Sequence, residues 1–284
     1  MNNLCVPKGV NPETLCVLYH PVGSANSTDG GRDAAALSEA LNIAVLAVDR
    51  PGSGLWLPSF RAQDDFAEPE AYANRLIEVT EQQVDKAQEI MRANRLIVVG
   101  RSAGALAALA VARDGHIAGV PISTVYAAEP PGSRATTVAD GFRGWKEYKK
   151  REAEKIADVN GHPELERPEP TDARGVAYLH RTLAMVPHFL NDKRANQQVW
   201  AKLVVPAIID STAPGPTIKI DYAIESMVLS ENVFARILYL DRVRHKLLGR
   251  GDLSSVEEVP HTVHRSFDNR RFFAKRLASV IDSK

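Results

Sequence analysis

The feature that most constrains this chain is the run Leu96-Ile-Val-Val-Gly100-Arg101-Ser102-Ala103-Gly104, continued at once by Ala105-Leu-Ala-Ala-Leu-Ala-Val-Ala112. The first half is an apolar run of strand length and the second an alanine-rich helical run, with almost nothing between them. A turn that tight forces backbone against backbone, so the flanking glycines remove side chains that would clash there. The turn also lifts the Ser102 hydroxyl clear of the strand. The helix that starts beside it presents its first backbone N–H groups, that of Ala103 foremost, to any negative charge developing at the serine. The pattern G-x-S-x-G by itself is short and common by chance. What gives it weight is its place between strand and helix; the bland alternative is a strand–turn–helix connection with an incidental serine.

The rest of the first half fits one architecture. Leu15–Tyr19, Ile43–Val48, Arg95–Val99 and Val120–Ala127 read as short buried strands. Helical stretches stand between them at Arg32–Leu41, Glu70–Ala93 and Ala103–Arg113. Apolar runs alternating with helices predict an α/β protein with a mostly parallel central sheet and helices on both faces. After Glu129-Pro-Pro-Gly132 the composition shifts to clustered charge, as in Trp145-Lys-Glu-Tyr-Lys-Lys-Arg-Glu152, with breaks near Gly161-His-Pro163 and Pro168–Pro170. Strand character returns at Thr217–Ala223 and Val233–Leu240, and the chain finishes with a helix over Phe267–Ile281. The expected organisation is a sheet domain in two parts, residues 1–133 and 216–284. A mostly helical lid or cap insertion over 134–215 interrupts them.

Composition narrows the function classes. Lys plus Arg and Asp plus Glu are 35 each, a formal net charge of zero, so no long-range attraction to nucleic acid is expected. No stretch approaches the roughly 20 apolar residues that cross a bilayer. The start of the chain lacks a basic region followed by an apolar one. The two cysteines, Cys5 and Cys16, have no metal-ligand spacing and read as reduced. These features make a cytoplasmic location the default. There is no phosphate-binding G-x-x-x-x-G-K-[ST], no dinucleotide G-x-G-x-x-G opening a helix after a first strand, and no H-E-x-x-H. No cofactor and no metal are expected; His261 and His264 resemble a metal pair in spacing alone.

The stretch around Ser102 resembles the nucleophile elbow of the α/β-hydrolase superfamily, and two upstream segments match that family in order. Tyr19-His20-Pro21-Val22-Gly23-Ser24 is similar to the His-Gly loop after an early strand. Asp49-Arg50-Pro51-Gly52-Ser53-Gly54 is similar to the D-x-x-G-x-G turn of esterases, lipases and haloperoxidase-like members. The likeness runs through about residue 130, is lost in the insertion and returns weakly near the C-terminus. It implies an oxyanion hole made by the N–H groups of Ala103 and of Val22, with Gly23 the alternative because Pro21 stands where the family has glycine. His20 and Asp49 read as structural groups of their own turns.

The resemblance also implies a triad in the chain order Ser, acid, His, with the histidine in a loop after the last strand. Ala235–Leu240 reads as that strand, which makes His245 the expected base, ahead of His261 and His264. The acid should follow the preceding strand, Thr217–Ala223, where Glu225 stands. Glu129, after the strand that follows the elbow helix, is the alternative, with Asp221 and Asp241 behind it. The expected activity is hydrolysis of a small-molecule carboxylic ester, or a thioester or lactone, through a covalent acyl-serine. Two other readings stay open: a non-catalytic binding protein of the same fold, and a cofactor-free enzyme of other chemistry, such as carbon–carbon bond hydrolysis or perhydrolysis.

Overall fold

The computed structural model describes residues 3–9, 13–21, 30–49, 69–130, 215–223, 255–260, 262, 266–267 and 269–282. Their elements are, in chain order, β1 (Leu4–Cys5), β2 (Thr14–Tyr19), α1 (Gly31–Leu41), β3 (Ala44–Val48), α2 (Pro69–Gln88), β4 (Arg95–Arg101), α3 (Ala103–Val111), β5 (His116–Ile117), β6 (Val120–Ala128), β7 (Thr217–Ala223), β8 (Ser255–Val259) and α4 (Arg270–Asp282). The strands form one sheet in the order β1-β3-β2-β4-β6-β7-β8, with β5 paired to β6 beside that path. Among the described strands, only β1 and β5 pair antiparallel, with β3 and β6 respectively; β3, β2, β4, β6, β7 and β8 run parallel to one another.

Side-chain alternation along the strands divides the core into two layers. Leu15, Val17, Tyr19, Leu46, Val48 and Val98 pack with α2 and α3 on one face. Cys16, Leu18, Val45, Ala47, Ile97 and Val99 pack with α1 and α4 on the other. A sheet covered on both faces buries successive positions of its inner strands, which is why β2 and β3, buried throughout, read as unbroken apolar runs rather than as alternating ones. Helix α3 is buried at all nine positions from Ala103 to Val111. A helix apolar all round has no wet side, and its small alanines let it lie close against β2, β4 and β6.

Most boundaries agree with the sequence to within a few residues. Helix α2 begins at Pro69, a residue whose missing N–H costs nothing in the first turn, and stops at Gln88 rather than Ala93. There the Gln88 amide turns back on the chain, donating to Ala93 O and accepting from Ala93 N, both at 3.0 Å. The important difference is at the C-terminus. The strand expected at Val233–Leu240 lies outside the described residues, and so does the insertion from 134 to 214. Among the described residues the sheet includes a strand that the sequence did not suggest, β8, paired in parallel with β7 from Lys219↔Ser255 to Ala223↔Val259. Its sequence, Ser-Val-Glu-Glu-Val, hides it. Two adjacent acids break the apolar run, and one of them, Glu257, is exposed and ion-paired to Arg276 at 2.9 Å. Among the described strands β8 is outermost, and charge is ordinary on a strand whose outer side meets water.

Candidate active site

Strand order places the site before any side chain is considered. The chain lays β3 on one side of β2, then crosses over to lay β4 on the other. In an open parallel sheet the connections leave in opposite directions at such a reversal, and a crevice opens at the C-terminal ends of the strands. The ends that meet there are Tyr19-His20 of β2 and Arg101-Ser102 of β4.

Ser102 stands between β4 and α3 at φ 52°, ψ −129°. That conformation is costly for a residue with a side chain, by about 1–3 kcal/mol, and persists only where its surroundings hold it. Here they do. The Ser102 N–H donates to Ala128 O of β6 at 2.8 Å, and the Ser102 carbonyl accepts from Ala105 N at 2.9 Å. The serine hydroxyl makes no capping bond to the helix that it begins. Ala103 is the first residue of α3, where N–H groups have no acceptor within the helix.

The flanking glycines are required by contact, as the sequence suggested. A Cβ on Gly100 would lie 2.2 Å from Gly104 O, and one on Gly104 would lie 2.4 Å from Tyr19 O and 2.6 Å from His20 O. The first contact lets the strand fold back onto its own helix; the second seats α3 against the end of β2. The two glycines therefore serve different approaches, and both meet backbone, which cannot swing aside as a side chain can.

Of the acids considered from sequence, two are described, and they differ sharply. Asp221 lies on β7 with both carboxylate oxygens engaged. Arg276 of α4 donates to them at 2.7 and 2.8 Å, and the Tyr126 hydroxyl donates at 2.8 Å. Burial pushes the Asp221 carboxyl above its ordinary value, against the lowering effect of Arg276. The Tyr126 phenol is raised by burial and by Asp221. This cluster joins β6, β7 and α4. Glu129 follows β6 directly, is completely buried, and has φ 53°. Its N–H donates to Asp221 O at 2.7 Å. Because Ala128 O accepts from Ser102 N, Glu129 and Ser102 stand at neighbouring points of one sheet edge. Glu225, Val22, Gly23, Asp241, His245, His261 and His264 lie outside the described residues. His20 and Asp49 are buried just past β2 and β3.

What the sequence did not suggest is the surrounding of Arg101, the residue before the serine. Its guanidinium is buried, donating to Asp33 Oδ2 at 2.6 Å and to Phe267 O at 3.1 Å. It also lies 5.9 Å from the centroid of the Phe273 ring, within cation–π range. The second oxygen of Asp33 accepts from Arg270 Nε at 2.6 Å. Period-two alternation was the available signal: Ile97 and Val99 face α1 and α4, and Arg101 continues that series.

Thr262, just past β8, is buried and donates its hydroxyl to Val259 O at 2.7 Å. The chain that leaves β8 is thereby held at the C-terminal end of that strand, on the sheet edge that carries Ser102. Among the described residues, no helix is long and apolar enough to cross a membrane.

Comparison with known proteins agrees with this geometry. The chain resembles, at 16% identity, the solved structure of a thermostable esterase from Pseudomonas putida, with TM-score 0.54, covering 98% of this chain and 75% of that one. An esterase from the archaeon Pyrobaculum calidifontis aligns at 12% identity and TM-score 0.54, over 99% and 78% of the two chains. A thioesterase of prodiginine biosynthesis from Streptomyces coelicolor aligns at 17% identity and TM-score 0.50, over 95% and 86%. At such identities the likeness is one of fold. No curated protein sequence matches the chain. The sequence model described as the alpha/beta hydrolase family matches residues 27–276, a span that takes in the elbow and six of the eight described strands, and the chain belongs to that family.

Proposed function

We propose that the protein is a serine hydrolase that cleaves a small carboxylic ester, thioester or lactone through an acyl-enzyme on Ser102. The observation that carries the reading is the conformation of Ser102, φ 52° and ψ −129°. The fold maintains it at the mouth of the switch-point crevice through two glycines that tolerate no Cβ. A serine with only a structural task has no use for that strain. The esterases and the thioesterase of like fold support the substrate class, as analogy.

A serine hydroxyl needs a base, because it is almost wholly protonated at neutral pH. The positional rule that pointed to His245 asks for the loop after the last strand. With β8 the last of the described strands, the same rule points to the segment between Val259 and Arg270, which contains His261 and His264. We take His264 as the base, since it stands three positions before Phe267 in the sequence, whose carbonyl Arg101 holds. His261 and then His245 stand behind it. Glu225 is the proposed acid: it comes two positions after Ala223, where β7 ends. Glu129 is the alternative, favoured by complete burial beside Ala128. Asp221 is the weakest, its oxygens being taken by Arg276 and Tyr126.

In the proposed cycle His264 removes the Ser102 proton as the oxygen attacks the carbonyl carbon. The N–H groups of Ala103 and Val22 bind the oxyanion, and the imidazolium returns the proton to the leaving alcohol or thiol. Water, deprotonated by the same imidazole, then releases the acid. Residues 134–215 are proposed as a lid over the nucleophile that sets substrate choice, with Trp145, Tyr148 and Phe189 available to line it.

The test is labelling with a fluorophosphonate, followed by mass spectrometry of the adduct and turnover on an ester panel. One adduct on Ser102 is expected, absent in Ser102→Ala. That variant should fold normally and lose turnover by a factor on the order of 10⁶. Folded wild-type protein that takes no label, or takes it on another serine, would overturn the reading and leave the non-catalytic alternative. Ser102 labelling without ester turnover would move the protein to other chemistry on the same nucleophile.

A further inference from the structure

Arg101 poses a question that the serine mechanism leaves unanswered: why a guanidinium is buried directly behind the nucleophile. Burying a charge costs several kcal/mol, and a buried ion pair is seldom a better stabiliser than an apolar cluster of the same volume. What such a pair adds is direction, because a guanidinium offers its N–H groups in a fixed planar fork.

The fork spans elements distant in sequence. One arm reaches Asp33, in the first turn of α1, at 2.6 Å; another reaches the main-chain carbonyl of Phe267 at 3.1 Å. Asp33 is placed by its second oxygen on Arg270, in the first turn of α4, also at 2.6 Å. Phe273 of α4 lies against the guanidinium. The Phe267 carbonyl belongs to the segment between β8 and α4, which Thr262 fastens at its other end to Val259 O. That segment carries His261 and His264. Since Arg101 is the backbone neighbour of Ser102, one residue connects the nucleophile turn to the stretch of chain that holds the proposed base.

We propose that Arg101, fixed by Asp33 and Arg270, is a positioning residue that holds the β8–α4 segment in register with the nucleophile turn, so that the base meets the Ser102 hydroxyl. The inference rests on the serine-hydrolase reading for its consequence in rate; its structural half does not depend on that reading. Arg101→Met keeps the stem and removes the fork, while Asp33 retains Arg270. A displacement of about 1 Å between reacting groups lowers turnover roughly 10²-fold. Arg101→Met is therefore expected to label with a fluorophosphonate, and to turn over, about 10- to 100-fold more slowly per folded molecule. KM should be unchanged and the pH midpoint of labelling unmoved. Arg101→Lys keeps a charge opposite Asp33 but not the fork, and should recover only part of the rate.

The experiment compares wild type, Arg101→Met and Arg101→Lys in labelling rate against pH, in kcat and KM, and in hydrogen exchange of peptides covering 258–269. Faster exchange in those peptides with a lowered rate plateau is the expected result. If Arg101→Met does not fold, Arg101→Lys carries the same comparison. Wild-type labelling rates in the folded variants would overturn the proposal and leave the serine mechanism standing, and so would an unchanged plateau with a displaced midpoint. Unchanged exchange in the variants would overturn it as well. If wild-type protein takes no label on Ser102 while exchange rises in the variants, the serine mechanism falls and the coupling remains.

Discussion

Replacing Gly104 by alanine sets two physical effects against each other, and the structure says which wins. Gly104 lies in the first turn of α3, and in a helix alanine is favoured over glycine by about 1 kcal/mol. On propensity alone the variant should be more stable. The added Cβ, however, would sit 2.4 Å from Tyr19 O, 2.6 Å from His20 O and 2.7 Å from Tyr19 C, where ordinary contact begins at 3.4 Å. Relief requires α3 and the end of β2 to separate by about 1 Å. Both belong to a core in which β2 and α3 are completely buried. Overpacking of this kind costs about 1–3 kcal/mol, and unyielding backbone puts the case at the upper end, for a net loss of about 2 kcal/mol. In a chain of 284 residues each kcal/mol lowers Tm by about 2 °C, so a fall of about 4 °C is expected. The shift also moves Ser102 against the β2 loop, with a fluorophosphonate labelling rate lower by about 10²-fold. Thermal melts by circular dichroism and labelling kinetics on the same preparations measure both. Gly115→Ala is the control, since Gly115 has φ 75° with nothing within 4 Å of an added Cβ. It tests backbone strain without crowding and should leave the labelling rate unchanged. A Tm for Gly104→Ala equal to or above wild type, with an unchanged labelling rate, would refute the argument that close approach dictates this glycine.

Three further outcomes are expected. Among His264→Ala, His261→Ala and His245→Ala, the first should abolish labelling; Glu225→Gln should lower turnover by on the order of 10²–10⁴. Collapse in His245→Ala, or in Glu129→Gln instead of Glu225→Gln, would reassign the base or the acid respectively. Arg276→Met leaves Asp221 buried without its cation and should cost about 3 kcal/mol. The folded-state carboxyl is already raised above its ordinary value by burial, so the unfolded chain loses that proton at lower pH. The destabilisation therefore grows as pH rises from about 4 to 8, and urea midpoints at the two extremes check the sign. Cys16 is completely buried and its thiol is pushed up to about 12, so in native protein at pH 8 it should escape iodoacetamide while denatured protein is alkylated. Peptide mapping that finds native Cys16 modified would contradict its placement between sheet and helix.

Ser102 and its two glycines were legible in the sequence because a strand-to-helix turn is a local event: a few adjacent residues specify its geometry, and the apolar runs on either side announce what it joins. The same is true of β2, β3, β4 and β6, whose burial on both faces writes itself as uninterrupted apolar sequence. Strand β8 was not legible, since edge position and the pairing of Glu257 with Arg276 permit acids that break such a run. That one strand changes which histidines stand after the end of the sheet. Nor was the environment of Arg101 legible. Alternation along β4 marks the face that Arg101 shares with Ile97 and Val99, but not its partners: Asp33 and Phe267 are separated from it by 68 and 166 positions. A doubly covered parallel sheet with a strained serine at a strand end could be read from the residues alone, because those properties come from short-range pattern and sterics. Which carboxylates are consumed in ion pairs, and what surrounds Arg101 beside the nucleophile, emerged with the folded chain, because a charge acquires its role from the groups that folding brings within a few ångströms of it.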